Sequence, residues 1–453
     1  MDALEDLCQE ASEAAAKLGS AIASGGYIRI VSHNDVDGIC SGTIAIQAVR
    51  RQGGSAHLSF SDHVYEGDLA SLLSSGPELI VFCDMGSDLL GGLRKSGRPY
   101  LVLDHHHTGE TDDRLVNPST MGIDGTSEVS ASGVTYLVAR ELNPDNVELS
   151  PIALCGAFGD MQGLTGANEM IASEAESEGL VERREELRLI GRVDRPMEYS
   201  ICYSTLPFIK GLSGNQMAAA KFLRDIGVEV EAKTSISELD DEMERVLIRE
   251  LAEKMVREDA STPEAERLFG RSLRLLDGPS PTIEDAVDYV ESCSALGEYS
   301  TALAYLVGSP GSGDEVERLR LRYKEKIFEG VGTFESAKRM ENLDYIDLDG
   351  WDEYVGKLCG IYANAGFSGR LRPVFGLSKR EDSVKVSGRT NPELVRKGLD
   401  LGSALSEAAR TVGGQGGGHS VAAGAKVPLG AEGDFLESLD RVVGNQLGGV
   451  VDE

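Results

Sequence analysis

The chain has 453 residues, more than a single hydrophobic core organises, so two domains or slightly more are expected. A composition of 41% hydrophobic and 26% charged residues is that of a soluble globular protein. The formal net charge of −31 excludes a molecule coated in basic surface, and with it non-specific duplex binding over the whole protein.

In chain order, the acidic, Ala-rich start "MDALEDLCQEASEAAAKL" lacks the cationic and apolar regions of a secretory signal, and residues 1–25 read as an amphipathic helix. Short apolar runs then alternate with helical segments: strand "YIRIV", a helix from about Ser41 to Arg51, strand "SAHLSF", a helix near Gly67–Ser75, strand "ELIVFCD", helix "DLLGGLRKSG" and strand "PYLVLD". Such alternation predicts βαβ units and a parallel sheet, whose ligands collect at the carboxyl ends of the strands. Helices are predicted over Ser130–Leu142 and Ser150–Phe158, ahead of "GAFGDMQGLTG", and residues 172–307 read as mostly helical. The polar helix "EVERLRLRYKEKIFEGV" reads as a rigid connector, which puts the main boundary at 310–342. Strand-like runs return in "NLDYIDL", "LCGIYAN", "PVFGLSK" and "SVKVSGRT", before a helix near Ser403–Arg410, the glycine run "GGQGGGHS" and the strand "VAAGAKV".

No unbroken apolar stretch reaches the roughly 18 residues of a bilayer span, so no membrane contact is expected. The seven cysteines form no CxxC pair, which fits reduced thiols in a cytoplasm that act mostly as small core hydrophobes.

Three of the predicted strands end in polar clusters, "SHNDVDG", "CDMGS" and "LDHHHTG", which a parallel sheet brings to one rim. If the extended conformation persists through the first, His33, Asp35 and Asp37 share one face. Imidazole and carboxylates together suit Mn²⁺, Mg²⁺ or Zn²⁺. Taken alone, the stretch equally fits a strand-end turn with helix-capping aspartates, and Asp84 equally fits the N-cap of a following helix. The run Asp104-His105-His106-His107 is harder to dismiss in a chain with only seven histidines. With Asp160 of "GAFGD", these clusters offer His33, Asp35, Asp37, Asp84, His105 and Asp160 as candidate ligands. Two divalent ions about 3.5–4 Å apart would share one carboxylate, activate a water and neutralise a phosphoryl oxygen.

A second locus is basic. Between Lys357 and Lys397 nine Lys and Arg stand against three acids, leaving +6 in a chain otherwise strongly negative. This fits either a phosphate-binding groove or a solvated face. The glycine run fits a flexible linker or, lying between a helix and a strand, a backbone cradle for phosphate.

Taken together, "SHNDVDG", "FCDMGS", "LDHHH" and "GAFGD" resemble motifs I to IV of the DHH phosphoesterases, and "SVKVSGRT" with "GGQGGGHSVAAGA" resembles the DHHA1 substrate-binding domain of one branch. The segment Asp194–Gly214 is similar to one found in archaeal RecJ-like proteins, including GINS-associated nucleases. The resemblance implies an α/β fold: a parallel-sheet DHH catalytic domain (1–310, helical part about 172–307), a connecting helix (311–342) and a smaller α/β DHHA1 domain (343–453). It implies two divalent ions, Mn²⁺ first and Mg²⁺ next, one on His33, Asp35 and Asp84, the other on Asp37, Asp84, His105 and Asp160. His106 would face the scissile phosphate, and Asp104 would orient the imidazoles. Ser387, Arg389, Gly417, Gly418 and His419 would grip the nucleotide beyond the scissile bond. His107 is given no role, and His57 and His63 read as structural or exposed.

The expected activity is a RecJ-like exonuclease that hydrolyses single-stranded DNA or RNA from an end entering between the two domains, in replication or repair. One rival is a small-substrate phosphoesterase acting on oligoribonucleotides, cyclic dinucleotides or 3′-phosphoadenosine phosphate. Another is a replisome component whose partners are GINS and the replicative helicase.

Overall fold

The structure, a computed structural model, describes residues 3–228, 234–368 and 372–448. By compactness the chain divides into two units, each made of separate stretches: Met1–Arg184 with Arg271–Arg320, and Glu185–Gly270 with Leu321–Glu453. The limits implied by the family resemblance (1–310, 311–342 and 343–453) divide the chain by motif instead.

In the first unit β1 (Tyr27–His33), β2 (Ser55–Ser61), β3 (Leu79–Cys83), β4 (Tyr100–Leu103) and β5 (Leu115–Val116) form one parallel sheet in the order β2-β1-β3-β4-β5. β3 is buried throughout because its residues serve two cores in alternation. Val81 and Cys83 pack beneath α1 (Ala3–Ala23), α2 (Val36–Arg51), α5 (Ala131–Leu142) and α6 (Ser150–Gly159). Ile80 and Phe82 face the opposite layer, which carries Leu69 and Leu73 of α3 (Leu69–Ser74) with Leu90 and Leu93 of α4 (Leu90–Ser96). A strand covered on both faces reads as an unbroken apolar run. The strand order reverses between β1 and β3, and ligands of open α/β sheets bind beyond the carboxyl ends at that point.

The stretch "SHNDVDG" does not stay extended. β1 ends at His33, Asp35 caps α2 by accepting a hydrogen bond from Gly38 N (2.9 Å), and Asp37 lies in the first helical turn. Helix α2 therefore begins five residues before the predicted Ser41, since a capping aspartate and the apolar periodicity beyond it favour the turn. The three polar side chains converge through a strand, a cap and a helix rather than along one strand face. The bend between them is braced from far along the chain. Ser294 Oγ donates to Asn34 O (2.6 Å), and Asn34 Nδ2 donates to Tyr299 OH (3.1 Å).

The stretch 172–307, predicted as mostly helical, also contains β6 (Val181–Leu187) and β7 (Phe269–Leu275), which pair as a two-stranded sheet. "VERREEL" carries too few apolar residues to be found by pattern.

In the second unit β8 (Lys338–Arg339), β9 (Asp344–Asp347), β10 (Val374–Lys379), β11 (Ser383–Arg389), β12 (Gln415–Gly418) and β13 (Ala422–Pro428) form a sheet in the order β12-β13-β11-β10-β9-β8. Its core unites Phe375, Val386, Leu405 and Leu439, and a separate core around Leu187, Ile201, Leu223 and Leu251 serves the inserted helices. "LCGIYAN", predicted as a strand, belongs to the helix Val355–Asn364. Its buried Val355, Leu358, Cys359 and Tyr362 recur at helical spacing, which a seven-residue window hides. The glycine run is neither linker nor loop: Gln415–Gly418 is an edge strand paired with β13. Gly418 has φ +132°, and a Cβ there would lie 2.7 Å from Ala423 Cα, so glycine is dictated by backbone packing.

All seven cysteines are free, six of them buried, and no described helix is long and apolar enough to cross a membrane. Gly38 fixes the approach of α2 to β1, since a Cβ there would lie 2.3 Å from His33 O. Gly38→Ala is expected to destabilise the protein by about 1–3 kcal/mol, the usual range for overpacking, and denaturant titration against the wild type measures it.

Candidate metal centre

The centre is built at the carboxyl edge of β1, β3 and β4. Asp84 follows β3 in the left-handed region (φ +57°), a conformation that aspartate tolerates better than most residues. It is 2% exposed, and neither carboxylate oxygen has a hydrogen-bond partner. His33 Nδ1 lies 3.3 Å from one of these oxygens and 3.0 Å from Asp35 Oδ2. His105 Nε2 lies 3.3 Å from the other, 3.5 Å from Asp160 Oδ2 and 4.0 Å from Asp37 Oδ2.

Neighbouring elements fix each of these groups. Asp37, fully buried, accepts hydrogen bonds from Ala131 N (2.7 Å) and Ser132 N (3.0 Å), so the amino end of α5 holds both of its oxygens. That helix end carries partial positive charge and favours the carboxylate. His105 Nδ1 donates to Gly125 O (2.6 Å), which turns Nε2 toward the carboxylates. The same carbonyl accepts from Gln162 Nε2 (2.9 Å), and Gln162 Oε1 accepts in turn from Asn168 Nδ2 (2.8 Å). Asp104 accepts from Ser87 N (3.1 Å), His105 N (2.8 Å) and His106 Nδ1 (2.8 Å), so it orients the half-exposed His106 ring with Nε2 outward. Asn117 ties this loop together by donating to Ser87 Oγ (3.0 Å) and His106 O (2.9 Å). Sequence reasoning missed Ser87, Asn117, Gly125 and Gln162. Asn117 stands directly before Pro118, where an amide reads as an ordinary turn residue.

The electrostatics are those of a cation site. Burial disfavours a charged His33, but the carboxylates of Asp35 and Asp84 beside it outweigh burial and push the imidazole up to about 11. His105 is likewise pushed to about 11, burial being outweighed by the adjacent carboxylates of Asp84 and Asp37. Burial and the charge of Asp84 raise Asp37 to about 6, and burial with the charge of Asp37 raises Asp160 well above the usual carboxylate range. Protons thus sit where a cation could be held. Three donor sets, His33–Asp35–Asp84, Asp37–His105–Asp160 and Asp84–His105–His106, have their ligand atoms within 4.8 Å of one another. The partnerless oxygens of Asp84 fit a bridging ligand, because a buried carboxylate otherwise needs hydrogen bonds.

In the second unit the ladder aligns Ser387, Gly424 and Gly417 across β11, β13 and β12, and Gly388, Ala423 and Gly418 in the next row. Arg389 is half-buried, desolvation holds its pKa below the usual value, and its Nη1 donates to Ser387 Oγ (3.1 Å) and Gly388 O (2.9 Å). His419 is exposed beside Gly417 and Gly418. Four of the nine cations of the basic stretch are held by carboxylates. Arg372 pairs with Asp344, Lys379 with Asp349, Arg380 with Asp352 and Lys397 with Glu393, while Arg370 lies outside the described residues.

A model of the DHH family N-terminal domain matches residues 27–159, and one of the DHHA1 domain matches residues 352–445. The chain belongs to the DHH family. Members of the DHH family are typically metal-dependent phosphoesterases. An uncharacterized protein of Methanocaldococcus jannaschii is 30% identical over 437 residues, covering 93% of this chain and 94% of its own. The fold is RecJ-like. RecJ from Thermus thermophilus, solved with Mn²⁺, is 18% identical with a TM-score of 0.60; the match covers 96% of this chain but only 55% of that one. A manganese-bound exonuclease RecJ (18% identical, 97% and 96% covered) gives 0.58. Cdc45 from Entamoeba histolytica (11% identical, 96% and 99% covered) gives 0.66.

Because His33 and His105 carry raised pKa values, a cation must displace protons as it binds. Mn²⁺ affinity is therefore expected to rise with pH between about 6 and 8, with release of at least one proton. Calorimetry in buffers of different ionisation enthalpy measures both, and Asp84→Asn is expected to abolish high-affinity binding.

Proposed function

We propose that this DHH-family chain is a metal-dependent phosphodiesterase that removes nucleotides from an end of single-stranded DNA or RNA. The observation that carries the reading is Asp84, buried without hydrogen-bond partners between two donor sets that could each hold a cation. His33, Asp35 and Asp84 would hold one ion and Asp37, Asp84, His105 and Asp160 the other. Mn²⁺ is the first choice and Mg²⁺ the second, as both occur in solved RecJ structures of similar fold. Such cations supply Lewis acidity and lower the pKa of a water. Asp37, held by α5, and His105, held by Gly125, keep their donor atoms in fixed positions. His106, oriented by Asp104, presents Nε2 for a phosphoryl oxygen. Ser387, Arg389, Gly417, Gly418 and His419 would hold phosphate beyond the scissile bond, where the planar guanidinium matches phosphate oxygens.

The deciding measurement is digestion of end-labelled single-stranded DNA and RNA with Mn²⁺ or Mg²⁺, beside a dinucleotide. Release of label from the long strands supports the reading; cleavage of the dinucleotide alone would favour the small-substrate alternative. A second reading, a replisome component that binds GINS, rests on the resemblance of Asp194–Gly214 and on the fold shared with Cdc45. Co-purification with GINS tests it.

His106→Ala is expected to keep the metal stoichiometry and lose turnover by about 10²–10⁴-fold, whereas His105→Ala loses an ion. Metal analysis and rates on both variants check this, and equal metal loss in the two would sink the distinction. Arg389→Ala is expected to lower kcat/KM on oligonucleotides by about 1–3 kcal/mol and to leave bis-p-nitrophenyl phosphate nearly unaffected. Equal impairment on both substrates would mean that Arg389 supports the fold instead.

A further inference from the structure

A cavity of about 550 Å³ opens beside the metal centre, sharing His33, Asp84, Asp104 and His106 as one wall. Its size is that of a pocket for one small molecule. The other walls come from the turns after β2, β3 and β4. They include His63 and His107, two histidines that the metal chemistry does not use, and the apolar side chains of Val64 and Met85. The exposed His63 ring is steadied edge-on by Tyr65, their centroids 4.2 Å apart.

The charge of this cavity is its most informative property. Among the described residues no lysine or arginine lines it. Glu110 at its rim is neutralised by Arg94 at 2.7 Å, but Asp62 and Asp88 have no ion-pair partner among the described residues. A phosphate placed here would meet two unpaired carboxylates and no cation beyond those at the centre itself. A nucleoside would meet imidazole and apolar surfaces on which a base stacks, and carboxylate oxygens that accept hydrogen bonds from sugar hydroxyls and exocyclic amines.

We propose that this cavity takes the terminal nucleoside of the substrate, and that Asp62 and Asp88 select ends that carry a free hydroxyl over ends that carry a phosphate. The proposal rests on the phosphodiesterase reading and adds to it which end chemistry the enzyme accepts.

The test uses the full chain and a short oligonucleotide of one sequence, prepared with hydroxyl or phosphate at each end in all four combinations. Digestion rates are measured in Mn²⁺, and equilibrium binding of the same four ligands is measured with Ca²⁺ in its place. A phosphate on the end being digested is expected to lower kcat/KM and weaken binding by at least about tenfold, the scale of a like-charge contact only partly screened by water. In Asp62→Asn/Asp88→Asn the ratio between hydroxyl-ended and phosphate-ended substrates is expected to fall toward one. Equal or better use of the phosphorylated end overturns the proposal, as does a penalty unchanged in the double variant. If no oligonucleotide is cut whatever its ends, the phosphodiesterase reading falls; the binding arm still decides this one, and equal binding of all four ligands overturns it.

Discussion

Asp84 lies buried at the strand-order reversal with neither carboxylate oxygen hydrogen-bonded, and much of the first unit serves to keep it there. A second carboxylate, Asp37, is fully buried nearby, and the charge of Asp84 adds to burial in raising the pKa of Asp37. Carboxylates gathered in this way would ordinarily push a fold apart or take up protons. Here the cost is spread over rigid supports: the amino end of α5 on Asp37, the Gly125 carbonyl behind His105, and Ser87 behind Asp104. Each support comes from an element with its own apolar anchorage, such as Val134 and Leu137 of α5 in the main core. The hydrophobic core thus stabilises an arrangement of like charge that only cations relieve fully.

Much of this was legible in the sequence, for a definite reason. A parallel sheet covered on both faces demands unbroken apolar runs, so a polar cluster at the end of one stands out, as "SHNDVDG", "CDMGS" and "LDHHHTG" do. What could not be read was how the cluster folds. Asp35 is both a capping residue and a member of a donor set, so the plain and the functional readings of that stretch hold together. The supporting carbonyl of Gly125 and the amide of Gln162 were invisible because nothing in a backbone carbonyl or a lone glutamine marks it in advance.

The second unit shows the opposite difficulty. "LCGIYAN" is apolar enough for a strand, and only the longer window from Val355 reveals the helical period. The glycine run fitted a flexible linker as well as a phosphate cradle, yet Gly418 is set by its approach to Ala423. Net charge tells only part of the story as well, because four of the cations between Lys357 and Lys397 are held by carboxylates, some from residues 344–352 that lie before the counted window. A sum over a stretch of sequence cannot see a counter-charge brought in by folding.

The brace on Asn34 bears on how the protein is made. Ser294 bonds to the backbone of Asn34 across 260 positions of chain, and the main core also waits for Leu273, Ile283, Val290, Tyr305 and Leu319. A ribosome must therefore extrude most of the polypeptide before the bend that carries His33 and Asp35 acquires its last support. The donor set at this bend thus waits for residues 273–319, all of which precede the DHHA1 segment that begins at residue 352.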